Sequence, residues 1–263
     1  MSFEGKVVWV TGASSGIGEA LAYALAERGA HLILSARREE KLRAVQAACA
    51  HADRHVVLPL DLASADSLNE AAQQALDRCG HIDLLIHNGG VSQRSLAIDT
   101  QLDVDRRIME VNYFGTVALT KAVMPSMIAR GVGHIAVVTS LVGKFGSPMR
   151  TGYAASKHAL HGFFDSLRAE VHAYGLCVTM ICPGFIRTNV SINALTGDGT
   201  PQGKMDRAQQ KGLDPASCAR QILRALEREK DEVYIAGKEK AYVYLRRFLP
   251  GLFNRLLPKV PVT

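Results

Sequence analysis

The 263-residue sequence predicts an α/β protein with a doubly wound parallel sheet and helices on both faces. Short apolar segments rich in β-branched residues alternate with longer segments in which apolar residues recur at helical spacing. This alternation is typical of strand–helix–strand units, whose strands run parallel and are buried on both faces. A glycine-rich turn, Thr11 to Gly18, follows the first apolar segment, at the edge where such sheets bind ligands.

Seven short apolar segments are predicted to be strands: 6–11, 31–36, 55–58, 82–87, 134–140, 176–182 and 232–236. Six longer segments are predicted to be helices: 16–28, 39–50, 64–79, 101–130, 152–174 and 214–229. We find neither a repeat nor a linker, so residues 1–237 are predicted to form one domain. The glycine-rich stretch 189–212 is longer than most connections and is predicted to be a lid over the substrate.

The composition, 48% apolar and 21% charged residues, suits a single globular core in a chain of this length. The five cysteines are scattered and never spaced as C-x-x-C, so neither a disulfide framework nor a zinc site is indicated, and no metal is predicted. The first residues lack the pattern of a secretory signal, and no apolar stretch approaches the ~20 residues that span a bilayer. These observations predict a cytoplasmic protein.

The net charge of +6 is concentrated at the end of the chain. Residues 238–263 contain six basic side chains and one acid, which leaves a net charge of only +1 for residues 1–237. A protein that binds nucleic acid would instead have a basic stripe and a recognisable binding motif. No nucleic-acid partner is therefore predicted.

Residues 238–263 are predicted to form a basic amphipathic C-terminal extension. Their apolar side chains follow helical spacing, the basic ones fall largely on the other side of the helical wheel, and Pro250 should split the helix. Such a segment is typical of contact with an anionic membrane surface, which predicts peripheral membrane contact. The same apolar stripe also suits contact with the domain's own core or with a partner subunit, and the sequence does not decide among the three.

The turn between the first strand and the first helix has the composition of a phosphate-binding loop. Glycines there allow a tight turn and let a pyrophosphate approach the backbone amides at the start of the helix. The residues predicted to contact the phosphates are Gly12, Ser14, Ser15, Gly16, Ile17 and Gly18. Because the spacing is G-x-x-x-G-x-G rather than G-x-G-x-x-G, a purely structural turn is the alternative.

The end of the second strand predicts which nicotinamide cofactor is bound. An enzyme that uses NAD usually has an acidic residue there for the ribose 2′-hydroxyl, whereas a cation suits the 2′-phosphate of NADP. Here Arg37 and Arg38 precede the first acid, Glu39. Arginines are unfavourable at the positive start of a helix unless they meet an anion. The sequence therefore predicts NADP(H) in preference to NAD(H), with a solvated helix start as the alternative.

Tyr153 and Lys157 are the strongest chemical signal in the sequence. Four residues apart on a predicted helix, they share one face, where the ammonium would stabilise a phenolate and lower the pKa of Tyr153 from ~10 toward working pH. Such a phenol can exchange a proton with a carbonyl or an alcohol. Tyr234 and Lys238 repeat the spacing, but they run from a predicted strand through Gly237 and should not share a helix face.

Together with other motifs, these features resemble the short-chain dehydrogenase/reductase family, in its short single-domain Rossmann form, over nearly the whole chain. The matching motifs are Thr11 to Gly18, Asp61, Asn88-Gly89-Gly90, Asn112, Ser140, Tyr153, Lys157 and Pro183-Gly184. The family often has Asn where this chain has His87 and Ala where it has Gly89. Both positions lie at a turn that supports the sheet and the cofactor, so the departures bear on local rigidity more than on chemistry.

The resemblance implies a catalytic tetrad of Asn112, Ser140, Tyr153 and Lys157. Tyr153 would be the general acid or base, Ser140 would bind the reacting oxygen, Lys157 would hold the nicotinamide ribose, and Asn112 would position a water for proton relay. The implied cofactor site also contains Arg37, Arg38, Asp61, Leu62, Asn88, Gly89, Gly90, Pro183, Gly184, Ile186 and Thr188, besides the phosphate turn, Tyr153 and Lys157. A turn role for Asp61 and a helix N-cap role for Thr188 are the alternatives.

The segment from Lys144 to Leu160 resembles the branch that contains 11β-hydroxysteroid dehydrogenases, which implies a lipophilic carbonyl or alcohol as substrate. The residues predicted to contact it are Ser140, Leu141, Val142, Phe145, Met149, Tyr153 and Phe185, although the apolar ones suit a core equally well. The family and the apolar circumference of the helix 152–174 also imply a homodimer or homotetramer.

Two other functions are compatible with these motifs. One is a 3-oxoacyl carrier-protein reductase, although such chains usually end soon after the seventh strand and this chain continues beyond it. The other is a non-catalytic, cofactor-bound interaction protein, which would not need an intact tetrad.

Overall fold

The computed structural model describes residues 2–259, in which seven parallel strands form one sheet in the order β3-β2-β1-β4-β5-β6-β7. The strands are β1 Val7–Thr11, β2 His31–Ser35, β3 Val56–Val57, β4 Leu84–His87, β5 Gly133–Val138, β6 Leu176–Pro183 and β7 Glu232–Ile235. The strand order reverses between β1 and β4, so a crevice opens there at the carboxyl ends of the strands. The predicted doubly wound Rossmann fold is confirmed.

The helices connect the strands and extend beyond the sheet. They are α1 Gly16–Ala26, α2 Glu39–Ala48, α3 Ala65–Cys79, α4 Leu102–Met109, α5 Gly115–Arg130, α6 Thr151–Val171, α7 Arg207–Gln210, α8 Pro215–Glu227, α9 Ala241–Phe248 and α10 Pro250–Leu256. None of the helices described is long and apolar enough to cross a bilayer.

The predicted helical segment 101–130 is helical from 102 to 130, but it is not α-helical throughout. A π-helical turn at 110–114 separates α4 from α5, which begins at Gly115. A side chain at position 115 would collide with the backbone carbonyl of Leu62, so glycine lets α5 approach the chain that follows β3. The apolar spacing conceals this irregularity because a π turn inserts residues without ending the helix.

Both faces of the sheet are buried, which explains the continuous apolar strands. Val8 and Val10 of β1 belong to a cluster with residues of α1, α2 and α8, whereas Trp9 between them belongs to a cluster with α3, α5 and α6. This separation follows from the period of two along a strand. All three side chains are fully enclosed.

The C-terminal extension packs partly against the domain itself. Val243 of α9 and Phe253 of α10 are buried against Phe145, with the Phe145 and Phe253 ring centroids 5.5 Å apart. Pro250 is the first residue of α10 and separates it from α9, as its ring predicts. Residues 260–263 of the predicted extension lie outside the described residues. One of the three alternatives, contact with the domain's own core, therefore accounts for one face of these helices.

His87, at the end of β4, is buried and neutral. Its Nε2 lies 2.8 Å from Thr120 Oγ1, its exposed fraction is 2%, and burial lowers its pKa to about 3. In the unfolded chain the same imidazole binds a proton below about pH 6.5. As the pH falls through this window the unfolded state takes up the proton first, so the wild-type protein loses stability on acidification.

Replacing His87 with asparagine is expected to reduce the loss of stability on acidification. Below about pH 6.5 the wild type should lose up to about 1.4 kcal/mol per pH unit through this site, and the variant should lose less. The measurement is the unfolding free energy from urea titrations at a series of pH values. His172→Asn, at an exposed site, is the control. Equal acid slopes for the wild type and His87→Asn would contradict the assignment.

Candidate active site

A cleft of about 750 Å³ runs along the carboxyl ends of the strands at the β1–β4 reversal. Its lining includes both residues predicted to bind the cofactor and residues predicted to be catalytic. The predicted residues that line it are Gly12, Ser14, Ser15, Gly16, Ile17, Arg37, Arg38, Asp61, Leu62, Asn88, Gly89, Gly90, Ser140, Tyr153, Lys157, Pro183, Gly184, Ile186 and Thr188. Sequence-distant residues thus come together because parallel strands end at the same edge of the sheet.

Glycine is required at the turn between β1 and α1. Gly12 has a φ of +65°, and a side chain there would lie 2.8 Å from the Gly89 Cα and 2.9 Å from the Asn88 Nδ2. Asn88 holds the turn by donating from Nδ2 to the carbonyls of Thr11 and Gly12, at 3.1 and 3.2 Å. Gly18 packs against Gly12 behind the turn and does not line the cleft. The turn is thus a backbone-lined cradle at the start of α1.

Two arginines and one aspartate mark the far end of the cleft. Arg37 and Arg38 are exposed, and both line it where β2 ends. Asp61 also lines the cleft, and its Oδ1 accepts a hydrogen bond from the Ala63 amide at 3.0 Å. The Asp61 carboxylate lies 3.8 Å from the Arg107 guanidinium. Asp61 therefore has the turn role given above as its alternative and still faces the cleft.

Tyr153 and Lys157 lie on α6 with both side chains in the cleft. The Lys157 ammonium donates to the Val138 carbonyl at 3.0 Å and lies 5.7 Å from the centroid of the Tyr153 ring. Burial lowers the pKa of Lys157 to about 8. Burial also raises the pKa of Tyr153, while the charge of Arg150 and a hydrogen bond with Ser140 oppose that rise. The sequence-based expectation of a lowered Tyr153 pKa therefore does not describe this state, in which desolvation dominates.

Gln93, which the sequence analysis missed, fixes the start of α6. Its side-chain oxygen accepts from the backbone amides of Gly152 and Tyr153, at 2.8 and 3.2 Å, and the residue is fully buried. Amides of a first helical turn have no partner within the helix, so this contact satisfies two of them. The only sequence signal is a polar residue shortly after the Asn88-Gly89-Gly90 turn.

Asn112 lies in the π-helical turn, behind the cleft lining. Its side chain pairs with both backbone groups of Val91, at 2.8 and 2.9 Å, and donates to Ser156 Oγ at 3.0 Å. In this structure Asn112 therefore links the chain after β4 to α6. The Gly90 Cα carries no side chain, and a Cβ there would lie 2.9 Å from Asn112 Oδ1 and 3.8 Å from Lys157 Nζ, so the three residues form one cluster.

Comparison with known proteins identifies the family. The short chain dehydrogenase family matches residues 6–198. The chain belongs to the short-chain dehydrogenase family. Its predicted resemblance is thereby confirmed.

Named relatives of this short-chain dehydrogenase are similar over most of their length. A Drosophila melanogaster protein called dehydrogenase/reductase SDR family protein 7-like is 44% identical over 261 residues, which cover 97% of this chain and 80% of that protein. The human dehydrogenase/reductase SDR family member 7 is 44% identical over 251 residues, covering 93% of this chain and 74% of that protein. A Burkholderia cenocepacia short chain dehydrogenase in complex with NADP is 29% identical, with a TM-score of 0.81 over 99% of this chain and 100% of that chain.

Several residues predicted to contact the substrate of this short-chain dehydrogenase lie elsewhere. Leu141, Val142 and Phe145 are buried in the cluster that α9 and α10 complete, and they do not line the cleft. Met149 and Phe185 do not line it either; Phe185 lies under the Arg150 guanidinium, 5.8 Å from its ring centroid. Leu141, Val142 and Phe145 lie away from the cleft because the C-terminal helices return to cover them, and contact of the predicted residues with substrate stays a prediction.

Residues outside the predicted contact set also line the cleft. They come from the segment at α4 and from the predicted lid: Gln101, Val104, Asn189, Val190, Asn193, Leu195 and Pro201. Leu195 pairs with the chain after β4, because its amide donates to the Ser92 carbonyl at 2.9 Å and its carbonyl accepts from the Arg94 amide at 2.8 Å. The segment 189–212 also contains the short helix α7. The segment 189–212 was predicted to lie over the substrate, but which of its side chains come next to Gln101 and Val104 depends on its contact with distant parts of the chain, which local patterns do not show.

The glycine at position 89, where the family often has alanine, has a local structural reason. A Cβ at this position would lie 2.7 Å from Leu62 Cδ1, and Leu62 is buried where it lines the cleft. Glycine therefore leaves room for this leucine rotamer. An alanine, common in the family, would require only a movement at the end of a flexible side chain.

Three side chains with metal-binding atoms meet behind the cleft. His161 lies between Cys182 and Glu232, with Nε2 3.7 Å from the sulfur and Nδ1 3.6 Å from a carboxylate oxygen. The Lys144 ammonium lies 2.5 Å from the same carboxylate. Burial lowers the pKa of His161 to about 4 and raises that of Cys182 to about 12, so both are neutral. The Lys144 ammonium therefore balances the charge of the Glu232 carboxylate.

Proposed function

We propose that this chain is an NADP(H)-dependent oxidoreductase that interconverts a lipophilic ketone or aldehyde and the corresponding alcohol. The observation that carries the proposal is the shared cleft: Ser140, Tyr153 and Lys157 line the same cavity as the glycine turn and the two arginines at its far end. A proton-transfer group and a dinucleotide cradle in one cleft fit hydride transfer to or from a carbon–oxygen bond.

The residues of the cleft fit a phosphorylated dinucleotide. Gly12, Ser14, Ser15 and Gly16 line the cleft next to the start of α1, where backbone amides can bind a pyrophosphate. Arg37 and Arg38 provide exposed cations for a 2′-phosphate. The NADP-bound Burkholderia cenocepacia relative supports this choice.

In the proposed reaction the bound cofactor supplies or accepts the hydride. Tyr153 would donate its phenolic proton to the carbonyl oxygen during reduction and recover it during oxidation. Ser140, whose side chain interacts with Tyr153, would donate a hydrogen bond to the same oxygen as its charge develops. Lys157 would turn its ammonium toward the cofactor ribose, and Asn112 would connect the site to water. These roles match those that the family resemblance implies.

The proposed lipophilic substrate is supported by the lid side of the cleft. Val104, Val190, Leu195 and Pro201 provide apolar contacts there. The test is NADPH consumption with matched lipophilic and hydrophilic ketones and aldehydes, and with a 3-oxoacyl thioester. Turnover of the lipophilic compounds supports the proposal. Preference for the thioester would favour the carrier-protein reductase, and no turnover despite tight NADPH binding would favour a non-catalytic protein.

We also propose that the chain forms a homodimer or homotetramer through the region of α5 and α6. The Phe114 ring is 52% exposed and meets Tyr113 at 5.1 Å, and Tyr113 meets Phe163 at 6.2 Å between ring centroids. An aromatic patch on a helix pair suits a symmetric contact with a second copy. Light scattering of Phe114→Asp should give a smaller assembly than that of the wild type.

We propose that the protein is cytoplasmic and makes peripheral contact with anionic membranes. The contact would use the exposed face of α9 and α10, opposite the face that packs against the core. Large apolar side chains are exposed there: Tyr244 by 53%, Phe248 by 73%, Leu249 by 56%, Leu252 by 46% and Leu256 by 38%. Exposed arginines flank them at 246, 247 and 255. Apolar area and basic charge both contribute to binding at a lipid surface.

A double substitution of Phe248 and Leu249 by serine is expected to weaken membrane binding roughly tenfold or more, because two exposed apolar anchors are lost. Both side chains are exposed, so the fold should be retained. The measurement is co-sedimentation with vesicles of phosphatidylcholine and phosphatidylserine. Ile98→Ser, which removes a side chain that is 90% exposed elsewhere, is the matched control. Binding equal to that of the wild type would refute the proposed contact.

A further inference from the structure

A buried ion cluster lies between the lid and the start of α6. Asp206 Oδ2 accepts from the Arg94 Nε at 2.7 Å and lies 2.6 Å from Arg94 Nη2 and 3.7 Å from Arg150 Nη2. The exposed fractions of the three side chains are 3% for Arg94, 1% for Asp206 and 7% for Arg150. Two guanidiniums thus share one carboxylate in a place with little access to water.

The three residues come from three parts of the fold that surround Tyr153. Arg94 follows β4 next to Gln93, which holds the first amides of α6. Arg150 immediately precedes α6, three residues before Tyr153. Asp206 belongs to the lid, where its Oδ1 accepts from Gln202 at 3.1 Å and its amide donates to Ser191 at 3.3 Å. The carboxylate therefore joins the lid to the base of the helix that carries the phenol.

A purely structural anchor at this place would not need charges. Desolvating two arginines and one aspartate costs several kcal/mol per ion, and apolar side chains of similar volume usually hold a fold equally well. Here burial lowers the pKa of Arg150 to about 10, so its guanidinium still carries its charge near neutral pH. A retained buried cation three residues before Tyr153, at the start of the same helix, points to a role beyond packing.

The charged and titratable groups near Tyr153 come from several elements of the fold. Lys157 lies on the same helix and Ser140 follows β5, while Arg150 and Arg94 act from the ion cluster. Asp206 faces the guanidiniums from the lid, and Asp105 of α4 lies against Gly152. Of the two guanidiniums, Arg150 has the larger effect in lowering the pKa of Tyr153, and Tyr153 in turn raises that of Arg150.

We propose that Arg150 is a positioning residue that, held by Asp206 of the lid, provides a second cation beside Lys157 to stabilise the phenolate of Tyr153. The inference rests on the proposed function, because a stabilised phenolate matters when Tyr153 exchanges a proton with the substrate. In this structure the Lys157 ammonium donates to the Val138 carbonyl, whereas Arg150 immediately precedes α6 and pairs with Asp206.

The test is a direct titration of the phenol in the full-length chain. Position 153 is occupied by 3,5-difluorotyrosine, which ionises well below tyrosine and is followed by its fluorine NMR shift within the stable pH range. Arg150→Gln, which keeps polar contact with Asp206 but has no charge, is expected to raise the titration midpoint by about one pH unit, a tenfold loss of phenolate at a given pH. Arg150→Lys should recover most of the shift.

Arg28→Gln is the matched control. Arg28 also pairs with a carboxylate, Glu227 at 2.6 Å, and lies over a phenylalanine ring, Phe3 at 5.6 Å, but it does not line the cleft. Its replacement should leave the midpoint unchanged. If Arg150→Gln does not fold, Arg150→Met is titrated instead. An unchanged midpoint in the folded neutral variant, with or without a loss of thermal stability, would overturn the proposal.

The titration uses neither substrate nor turnover, so it separates the two hypotheses. If Arg150→Gln shifts the midpoint but the wild type reduces no carbonyl, only the proposed function is refuted. If the wild type is active but Arg150→Gln leaves the midpoint unchanged, only the role of Arg150 is refuted. If the enzyme is active, the pH profile of kcat for Arg150→Gln should shift by the same number of pH units as the titration midpoint of the phenol.

Discussion

Replacing Tyr153 with phenylalanine is expected to lower kcat by about 10²- to 10⁴-fold, the range that a positioned general acid contributes. The substitution removes one oxygen atom, while the ring keeps its place on α6 in the cleft. NADPH affinity should change little, since the glycine turn and the arginines are untouched. The measurements are initial rates with the best substrate from the carbonyl screen and a fluorescence titration with NADPH.

The second tyrosine with the same spacing provides the control. Tyr234 lies on β7, with its ring 6.2 Å from that of Tyr244, and does not line the cleft. Tyr234→Phe makes the same chemical change outside the cleft and should retain kcat. Equal turnover of Tyr153→Phe and the wild type would exclude Tyr153 as the proton donor. A parallel loss of NADPH binding would indicate damage to the cleft rather than to proton transfer.

The sequence predicted the sheet well because its strands are buried on both faces. The largely apolar character of β1 and β5, where every residue is buried, is visible without any structure. The glycine turn and the Tyr153–Lys157 pair were equally visible, because each is a pattern of residue spacing within a few positions of the sequence. Local spacing and a strand-end position were enough to predict which of these residues share one cleft.

What the sequence could not predict depends on contacts between distant segments. Phe145 was predicted to contact substrate, but Phe253, more than a hundred residues away, covers it. Arg94 and Asp206 are separated by 112 positions and meet only because the segment 189–212 folds onto the chain after β4. The π turn at Asn112 was hidden for a different reason, since it leaves the apolar spacing on either side nearly unchanged.

Replacing Arg37 with aspartate is expected to weaken NADPH binding roughly 10- to 100-fold, the equivalent of one lost charge-assisted hydrogen bond. The 2′-phosphate is the one group that distinguishes NADPH from NADH, and Arg37 lies at the end of β2 where it would meet that group. An aspartate there would repel the phosphate and accept a hydrogen bond from a free 2′-hydroxyl. NADH affinity should therefore stay the same or improve.

The measurement is the Kd of each cofactor by fluorescence titration, repeated at two salt concentrations because exposed charges are screened. Arg43→Asp is the matched control, since Arg43 lies on α2, pairs with Glu39 and does not line the cleft. It makes the same change in net charge a short distance away and should leave the ratio of the two Kd values unchanged. Equal weakening of NADPH and NADH in Arg37→Asp would mean that this arginine acts on a part that the two cofactors share. The cofactor preference would then depend on Arg38, which the corresponding Arg38→Asp variant tests in the same assay.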